Sequence, residues 1–189
     1  MPKVRKLRRK FPWSETLNGE KVAFRLMDEG SAKEVLKFAR GLPENQQIYL
    51  RMDITKQAVL DEWLENIARG RTYTVLAETA GGIVGYANLH RNEILWTRHL
   101  GEIRLLVDNT FSECDPLRQL LVNEVFQIAR EIEVQRVVAH IPTGQSSMQR
   151  VFENMGFQSE ALLRDWLMTA DGKMHDLLIV SYYLVEPGA

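Results

Sequence analysis

Apolar and polar positions alternate with two different periods along the chain between Lys21 and Leu184. The period of two typical of a half-buried strand is clearest in "KVAFRLM", where Val22, Phe24 and Leu26 are separated by polar residues. Helical spacing is clearest in "PLRQLLVNEVFQIAREI", where apolar residues recur every three or four positions and form one stripe. The pattern therefore predicts strands and helices in one chain.

The predicted elements follow one another in the order β-α-α-β-β-β-α-β-α-β-β. Helices are predicted over residues 31–42, 55–70, 116–132 and 146–155, and strands over 21–27, 73–79, 83–91, 100–108, 135–141, 157–168 and 175–184. Strand–helix–strand passages in the middle of the chain imply a mixed sheet with helices on both faces. The predicted fold class is α/β, in one domain over residues 21–186.

Composition excludes several classes of site. The 189 residues are enough for one domain with a substantial core, and the chain lacks the run of eighteen apolar residues that a membrane span needs. We therefore expect a cytoplasmic protein. The single cysteine, Cys114, excludes an internal disulfide and a cysteine-based zinc site, and four scattered histidines show no metal-binding spacing. We expect no metal.

The N-terminal segment is strongly basic. It carries six basic residues and no acid among its first ten: Lys3, Arg5, Lys6, Arg8, Arg9 and Lys10. Subtracting these six from the net charge of −1 leaves −7 for the rest of the chain. We interpret residues 1–20 as an arm, either a solvated tail or a contact for an anionic partner such as nucleic acid.

Three segments together carry a resemblance to a known family. They are "HLGEIRLLV" leading into a helix, "VFENMGF", and the closing "EALLRDWLMTADGKMHDLLIVSYYL". In this order they resemble the GNAT superfamily of acyl-CoA-dependent N-acyltransferases, most closely its bacterial members. The likeness covers residues 22–184. It implies a GNAT-like fold and transfer of acetyl from acetyl-CoA to an amine, on a small molecule or a protein.

The resemblance also implies a cofactor site. In the family, the strand corresponding to "LGEIRLLVD" separates from its neighbour, and its exposed backbone groups bind the pantetheine arm. Here these groups belong to Leu106, Val107 and Asp108. The next loop and helix N-terminus bind the pyrophosphate, which places Leu117 and Arg118 at the cofactor.

The pyrophosphate loop departs from the family pattern R/Q-x-x-G-x-G/A. Ser112 stands at the basic position of this pattern. The positions that usually carry small residues are occupied by Glu113, Asp115 and Leu117. Carboxylates repel a pyrophosphate, Leu117 adds bulk, and Asp115 before Pro116 suits an Ncap–N1 pair that caps the helix itself. The sequence therefore predicts weakened acetyl-CoA binding. Alternatively, the loop keeps a compatible shape, with Arg118 or the arm neutralising its acids.

Glu102 stands where the family often has a strand glutamate. The resemblance implies that it is the general base, acting directly or through water. The alternative is a salt bridge with Arg104, which lies on the same strand face and would lower the carboxyl pKa. Phe152 stands where many members of the family have the tyrosine that protonates the departing thiolate. We interpret Phe152 as a core residue.

Three functions remain open. The first is acetyl transfer from acetyl-CoA to an amine by direct attack in a ternary complex. The second is a non-catalytic binding or regulatory module that does not bind acetyl-CoA in the usual way. The third is acyl transfer from a different donor. The sequence gives neither the acceptor nor the oligomeric state.

Overall fold

Eight strands form one mixed sheet in the computed structural model, which describes residues 7–8 and 10–185. The strands are β1 (Trp13–Leu17), β2 (Glu20–Leu26), β3 (Thr72–Thr79), β4 (Gly82–Arg91), β5 (Leu100–Val107), β6 (Arg136–Pro142), β7 (Gln158–Met168) and β8 (Met174–Tyr183). They lie in the order β1-β2-β3-β4-β5-β6-β8-β7. Neighbouring strands are antiparallel except β5 and β6, which are parallel. The predicted mixed sheet is confirmed.

Helices cover both faces of this sheet, as predicted. They are α1 (Ala32–Gly41), α2 (Glu44–Gln47), α3 (Gln57–Ala68), α4 (Cys114–Glu131) and α5 (Ser146–Asn154). Side chains of α4 and α5 pack in one apolar core, and those of α1 and α3 pack in a second. Because side chains alternate along a strand, Val75 and Ala77 belong to the first core and Leu76 to the second.

The first strand lies upstream of Lys21, within the range that the sequence analysis assigns to the arm. Asn18 and Gly19 connect β1 to β2, and both have positive φ angles, 47° and 82°, as a two-residue type I′ turn requires. Trp13 pairs with Phe24 across the hairpin, and their rings stack at 4.4 Å. Residues 13–17 therefore belong to the sheet.

The described part of the arm contacts α4. Leu7 packs against the core on the α4 face, and the backbone N–H of Arg8 donates a 2.6 Å hydrogen bond to a carboxylate oxygen of Glu131. Lys10 is exposed. The other basic residues of the arm, Lys3, Arg5, Lys6 and Arg9, lie outside the described residues, so an anionic partner for the arm remains a prediction.

The described residues contain neither a candidate membrane span nor a candidate metal site. Over 7–8 and 10–185, no helix is long and apolar enough to cross a membrane. In the same ranges, no group of three or more histidine, cysteine, aspartate or glutamate side chains has an arrangement that could hold a metal ion.

Candidate functional site: a cleft where two strands diverge

Strands β5 and β6 run side by side over the first half of β5 and then diverge. Their parallel pairing runs from Leu100 with Arg136 to Ile103 with Ala139 and ends there. Among the described residues, no strand pairs with this side of β5 beyond Ile103. The divergence opens into a cleft of about 1170 Å³ that is lined from both faces of the sheet.

The backbone groups that face this gap belong to Leu105 and Val107. The N–H of Asp108 donates a 2.9 Å hydrogen bond to the carbonyl oxygen of Val84 on β4. Bonding direction alternates along an antiparallel strand, so Leu106 also points its N–H and C=O towards β4. The prediction that Leu106, Val107 and Asp108 offer free backbone groups is therefore wrong for Leu106 and Asp108, whose N–H groups point to β4, and it misses Leu105.

A side chain already occupies part of this free strand edge. The Gln46 side-chain amide donates to the carbonyl oxygen of Val107 at 2.9 Å and accepts from the N–H of Asn109, also at 2.9 Å. Gln46 lies on the one-turn helix α2 and is 8% exposed. Its amide therefore satisfies the edge as a neighbouring strand would.

The N-terminus of α4 borders the same gap. The helix begins at Cys114 with Glu113 as N-cap, and the N–H of Leu117 bonds to the carbonyl of Glu113 at 3.0 Å. The prediction of Asp115 as N-cap is therefore wrong. Pro116 fits inside the first turn because the N–H groups of that turn have no intrahelical partner.

Arg118 neutralises Asp115. Its guanidinium group donates to the carboxylate of Asp115, to the side-chain oxygen of Asn109 and, at 3.3 Å, to the sulfur of Cys114. Arg118 is only 5% exposed, although half of the Asp115 side chain is accessible to solvent. Of the alternatives left open by the sequence, this contact favours a loop whose acid is partly compensated.

Leu117 does not obstruct the gap. Its side chain is fully buried in the core on the α4 face of the sheet, beside Leu121 and Val122. The expectation that its bulk keeps a ligand from the backbone is therefore wrong. Its N–H, however, is used by the helix and is not free for an anion.

Glu102 lies at the base of the gap, on the face of the sheet that α1 and α3 cover. One carboxylate oxygen accepts from Arg51 and lies 3.1 Å from Nδ1 of His140; the other accepts from Arg104 at 2.8 Å and 3.2 Å. The contact with Arg104 is the one that the sequence offered as the alternative to a catalytic role.

These partners keep Glu102 ionised. Burial alone raises the pKa of this carboxyl, but the hydrogen bond with His140 and the charges of Arg104 and Arg51 outweigh burial and hold the pKa well below its ordinary value. A carboxylate held in this way is a poor proton acceptor near neutral pH.

Further polar groups line the cleft near Glu102. Asn88 on β4 is 6% exposed, and its side-chain oxygen has no hydrogen-bond partner within the described part of the chain. Burial, with Arg104 adding to it, lowers the pKa of His90 below its ordinary value, which favours the neutral ring. Phe152 is buried in the core, as predicted.

Sequence reasoning did not identify Gln46, Arg51 or His140 as part of the site. Gln46 lies 61 residues from its partner Val107 along the chain. Arg51 lies 51 residues from Glu102, and His140 lies 89 residues from Arg51. Their contacts are tertiary, so no local spacing signals them. The one available signal for His140 was its place on a strand predicted to flank the gap.

Comparisons with known proteins agree with this geometry. The profile of the acetyltransferase (GNAT) domain matches residues 23–178. A ribosomal-protein-alanine N-acetyltransferase from Brucella melitensis is 23% identical, with a TM-score of 0.73 over 85% of this chain and 99% of that one. A putative acetyltransferase from Salmonella typhimurium, solved with its cofactor acetyl-CoA, is 18% identical, with a TM-score of 0.76 over 89% and 96%.

The structural matches show the fold of this chain, and the profile shows its family. Both structures are less than 25% identical to this chain, so they establish the fold alone. A search of curated protein sequences gave no match. The profile, by contrast, extends over most of the chain and includes the gap, the loop and α4. The chain therefore belongs to the GNAT family of acetyltransferases.

Proposed function

We propose that this protein transfers the acetyl group of acetyl-CoA to an amine by direct attack within a ternary complex. The observation that carries the proposal is the divergence of β5 from β6 beyond Ile103 and Ala139. It leaves the backbone of Leu105 and Val107 facing a cleft, beside the N-terminus of α4. A strand edge of this kind pairs with the amides of an extended ligand as it would with another strand.

The residues present suit the pantetheine part of acetyl-CoA better than its pyrophosphate. The N–H groups of Cys114 and Asp115 have no acceptor among the described residues and lie where the helix dipole favours an anion. Arg118 offsets the charge of Asp115. Glu113 has no such partner among the described ion pairs, and Gln46 must leave Val107 before an amide can bind there. The cofactor fits, with reduced affinity.

The acceptor side is the α1–α3 face of the cleft. It carries Asn88, His90, Arg104 and His140, whose side chains offer both donors and acceptors to an amine. The Brucella melitensis protein is a ribosomal-protein-alanine N-acetyltransferase, so an N-terminal amine of a protein is one acceptor class to test. Small-molecule amines are the other. The non-catalytic alternative would use the cleft for another ligand or the arm for an anionic partner. No described feature identifies such a ligand, and most of the arm lies outside the described residues.

The proposal is tested by titrating acetyl-CoA and coenzyme A into the purified protein by calorimetry. A loop variant, Ser112→Arg with Glu113→Gln, is compared with the same changes on β1, Ser14→Arg with Glu15→Gln. Saturable binding by the unmodified protein, tightened in the loop variant and not in the β1 variant, supports the proposal. Absence of binding by both the unmodified protein and the loop variant would refute it.

Transfer itself is measured by release of free thiol from acetyl-CoA. The amines offered are free amino acids, polyamines and short peptides with free N-termini. Acetyl-CoA-dependent thiol release that requires one of these amines establishes the activity. A protein that binds acetyl-CoA but releases thiol with none of them would contradict the catalytic part of the proposal.

A further inference from the structure

His140 occupies the point where the gap opens. The last paired residues of the two strands are Ile103 and Ala139, and both side chains belong to the core on the α4 face. Because side chains alternate, the next residues, Arg104 and His140, lie on the opposite face. His140 is therefore the first residue of β6 beyond the pairing and lines the acceptor side of the cleft, with 31% of its side chain exposed.

Two charged groups contact Nδ1 of His140. Nδ1 lies 3.1 Å from a carboxylate oxygen of Glu102 and 3.2 Å from a nitrogen of Arg51. A carboxylate only accepts and a guanidinium only donates, so Nδ1 bonds to Glu102 when it carries a proton and to Arg51 when it does not. The same nitrogen of Arg51 also donates to Glu102, so a proton on Nδ1 leaves both groups paired. Nε2 then carries the lone pair, and it has no partner among the described residues.

Glu102 has the position and charge of a group that orients a base. Its ion-pair and hydrogen-bond partners among the described residues are Arg51, Arg104 and His140, and its carboxylate remains ionised. An ionised carboxylate on Nδ1–H holds the ring in one orientation and stabilises the imidazolium that forms when Nε2 takes a proton. Glu102 itself is too tightly paired to take that proton.

We propose that His140 is the general base of the acetyl transfer and that Glu102 is its positioning residue. The inference rests on the proposed function. The amine nitrogen forms a bond to the thioester carbon, and its proton passes to Nε2 of His140. The carbon–sulfur bond breaks with its electron pair on sulfur, and the thiolate takes a proton from solvent. His140 then returns its proton to solvent, which restores the starting state.

The charges around His140 come from several elements. Glu102 and Arg104 face it from β5, Arg51 faces it from the segment after α2, and His90 lies beyond Glu102 on β4. On β8 the paired residue is the apolar Ile179. The carboxylate stabilises the imidazolium and the two arginines oppose it. The arginines also favour the uncharged form of an amine bound beside them.

The decisive variant is His140→Gln, compared with His99→Gln, which replaces an exposed histidine outside the cleft. With acetyl-CoA and the amine that releases thiol fastest, we expect kcat to fall about 100-fold or more. The Kd for acetyl-CoA should stay within about twofold. The rise of kcat/KM with pH should disappear in His140→Gln and remain in His99→Gln. Added imidazole should restore part of the rate to His140→Ala.

The positioning role of Glu102 is tested by the pH at which kcat/KM rises. Glu102→Gln removes the charge that stabilises the imidazolium, so the rise of kcat/KM should move to lower pH and kcat should fall about tenfold. Glu102→Asp should restore part of kcat and should move the rise of kcat/KM part of the way back to its original pH. In the unmodified protein, the ring nitrogen NMR signals of His140 should report a proton on Nδ1.

The possible failures are distinguishable. An active protein whose His140→Gln variant keeps the rate and pH profile of the unmodified chain overturns the inference and leaves the proposed function standing. A proton on Nε2 rather than Nδ1 in the NMR spectrum also overturns the inference. Absence of transfer by the unmodified protein to any amine overturns the proposed function and the inference together.

Discussion

The side-chain amide of Gln46 bonds to the carbonyl oxygen of Val107, on the edge of β5 that faces away from β4 and that no other described strand covers. The same amide accepts from the N–H of Asn109, and both distances are 2.9 Å. In the proposed function, an amide of the pantetheine arm needs this carbonyl. Gln46 and the cofactor therefore compete for one backbone group.

Replacing Gln46 should tighten cofactor binding. Gln46→Ala removes two hydrogen bonds that acetyl-CoA must otherwise displace, each contributing about 0.5–1.5 kcal/mol, so we expect Kd to fall about 5- to 160-fold. The control is Gln47→Ala on the same helix, whose side chain bonds to the carbonyl of Leu42 at 2.8 Å, away from the gap. Calorimetry decides the prediction, which is wrong if Gln46→Ala binds acetyl-CoA no better than Gln47→Ala.

Restoring the family's small residue at Leu117 should damage the protein instead of repairing the site. Leu117 is fully buried, so Leu117→Ala should lower the free energy of unfolding by about 2–4 kcal/mol. Acetyl-CoA affinity should stay within twofold at a temperature where the variant is folded, because the side chain points away from the gap. Urea denaturation measures the first quantity and calorimetry the second. A clear gain in affinity would show that the leucine does obstruct the cofactor.

Arg118 should matter for the cofactor through Asp115. Arg118→Ala should weaken acetyl-CoA binding about tenfold, because a carboxylate next to the pyrophosphate loses its compensating charge. Adding Asp115→Asn should recover most of that loss. Calorimetry on the two single variants and the double variant gives the coupling between the residues. A double variant that binds as weakly as Arg118→Ala would mean that the guanidinium acts on the ligand and not through Asp115.

Glu102 should make stability depend on pH in the acid range. Its pKa is lowered by folding from an ordinary value of 4.5, so its ionisation contributes stability that is fully present above about pH 5 and is lost as pH falls further. Glu102→Gln should therefore lose less unfolding free energy than the unmodified protein between pH 5 and pH 3. The control is Glu153→Gln, an exposed position on α5. Urea denaturation at several pH values tests this, and equal losses in all three proteins would contradict it.

Local patterns accounted for most of the fold. The alternation of apolar residues gave eleven strands and helices close to their observed bounds, because each buries one face or stripe against the sheet. Gly156 follows α5 in the left-handed conformation, at a φ of 86°, as is common where a helix ends. Strand β1 was missed although Asn18-Gly19 is a strong hairpin signal, and α2 was missed because one turn is too short to show a period.

The site was predictable only where its contacts are local. Glu102 and Arg104 are two residues apart on one strand, so their ion pair follows from the alternation of side chains. The start of α4 was misplaced because Arg118, not the helix N-terminus, engages the Asp115 carboxylate. Gln46 and His140 reach Val107 and Glu102 only through tertiary packing, which no spacing along the chain encodes.

The divergence of β5 and β6 lies in the interior of the sheet. Four strands lie beyond β5 and two lie beyond β6. An opening in that position joins the two faces of the molecule, as the lining of the cleft by Phe152 on one face and Asn88 on the other shows. In the proposed function, acetyl-CoA and the amine then approach a common centre from opposite directions. The acetylated amine leaves by its own side while coenzyme A is still bound, so neither product has to wait for the other.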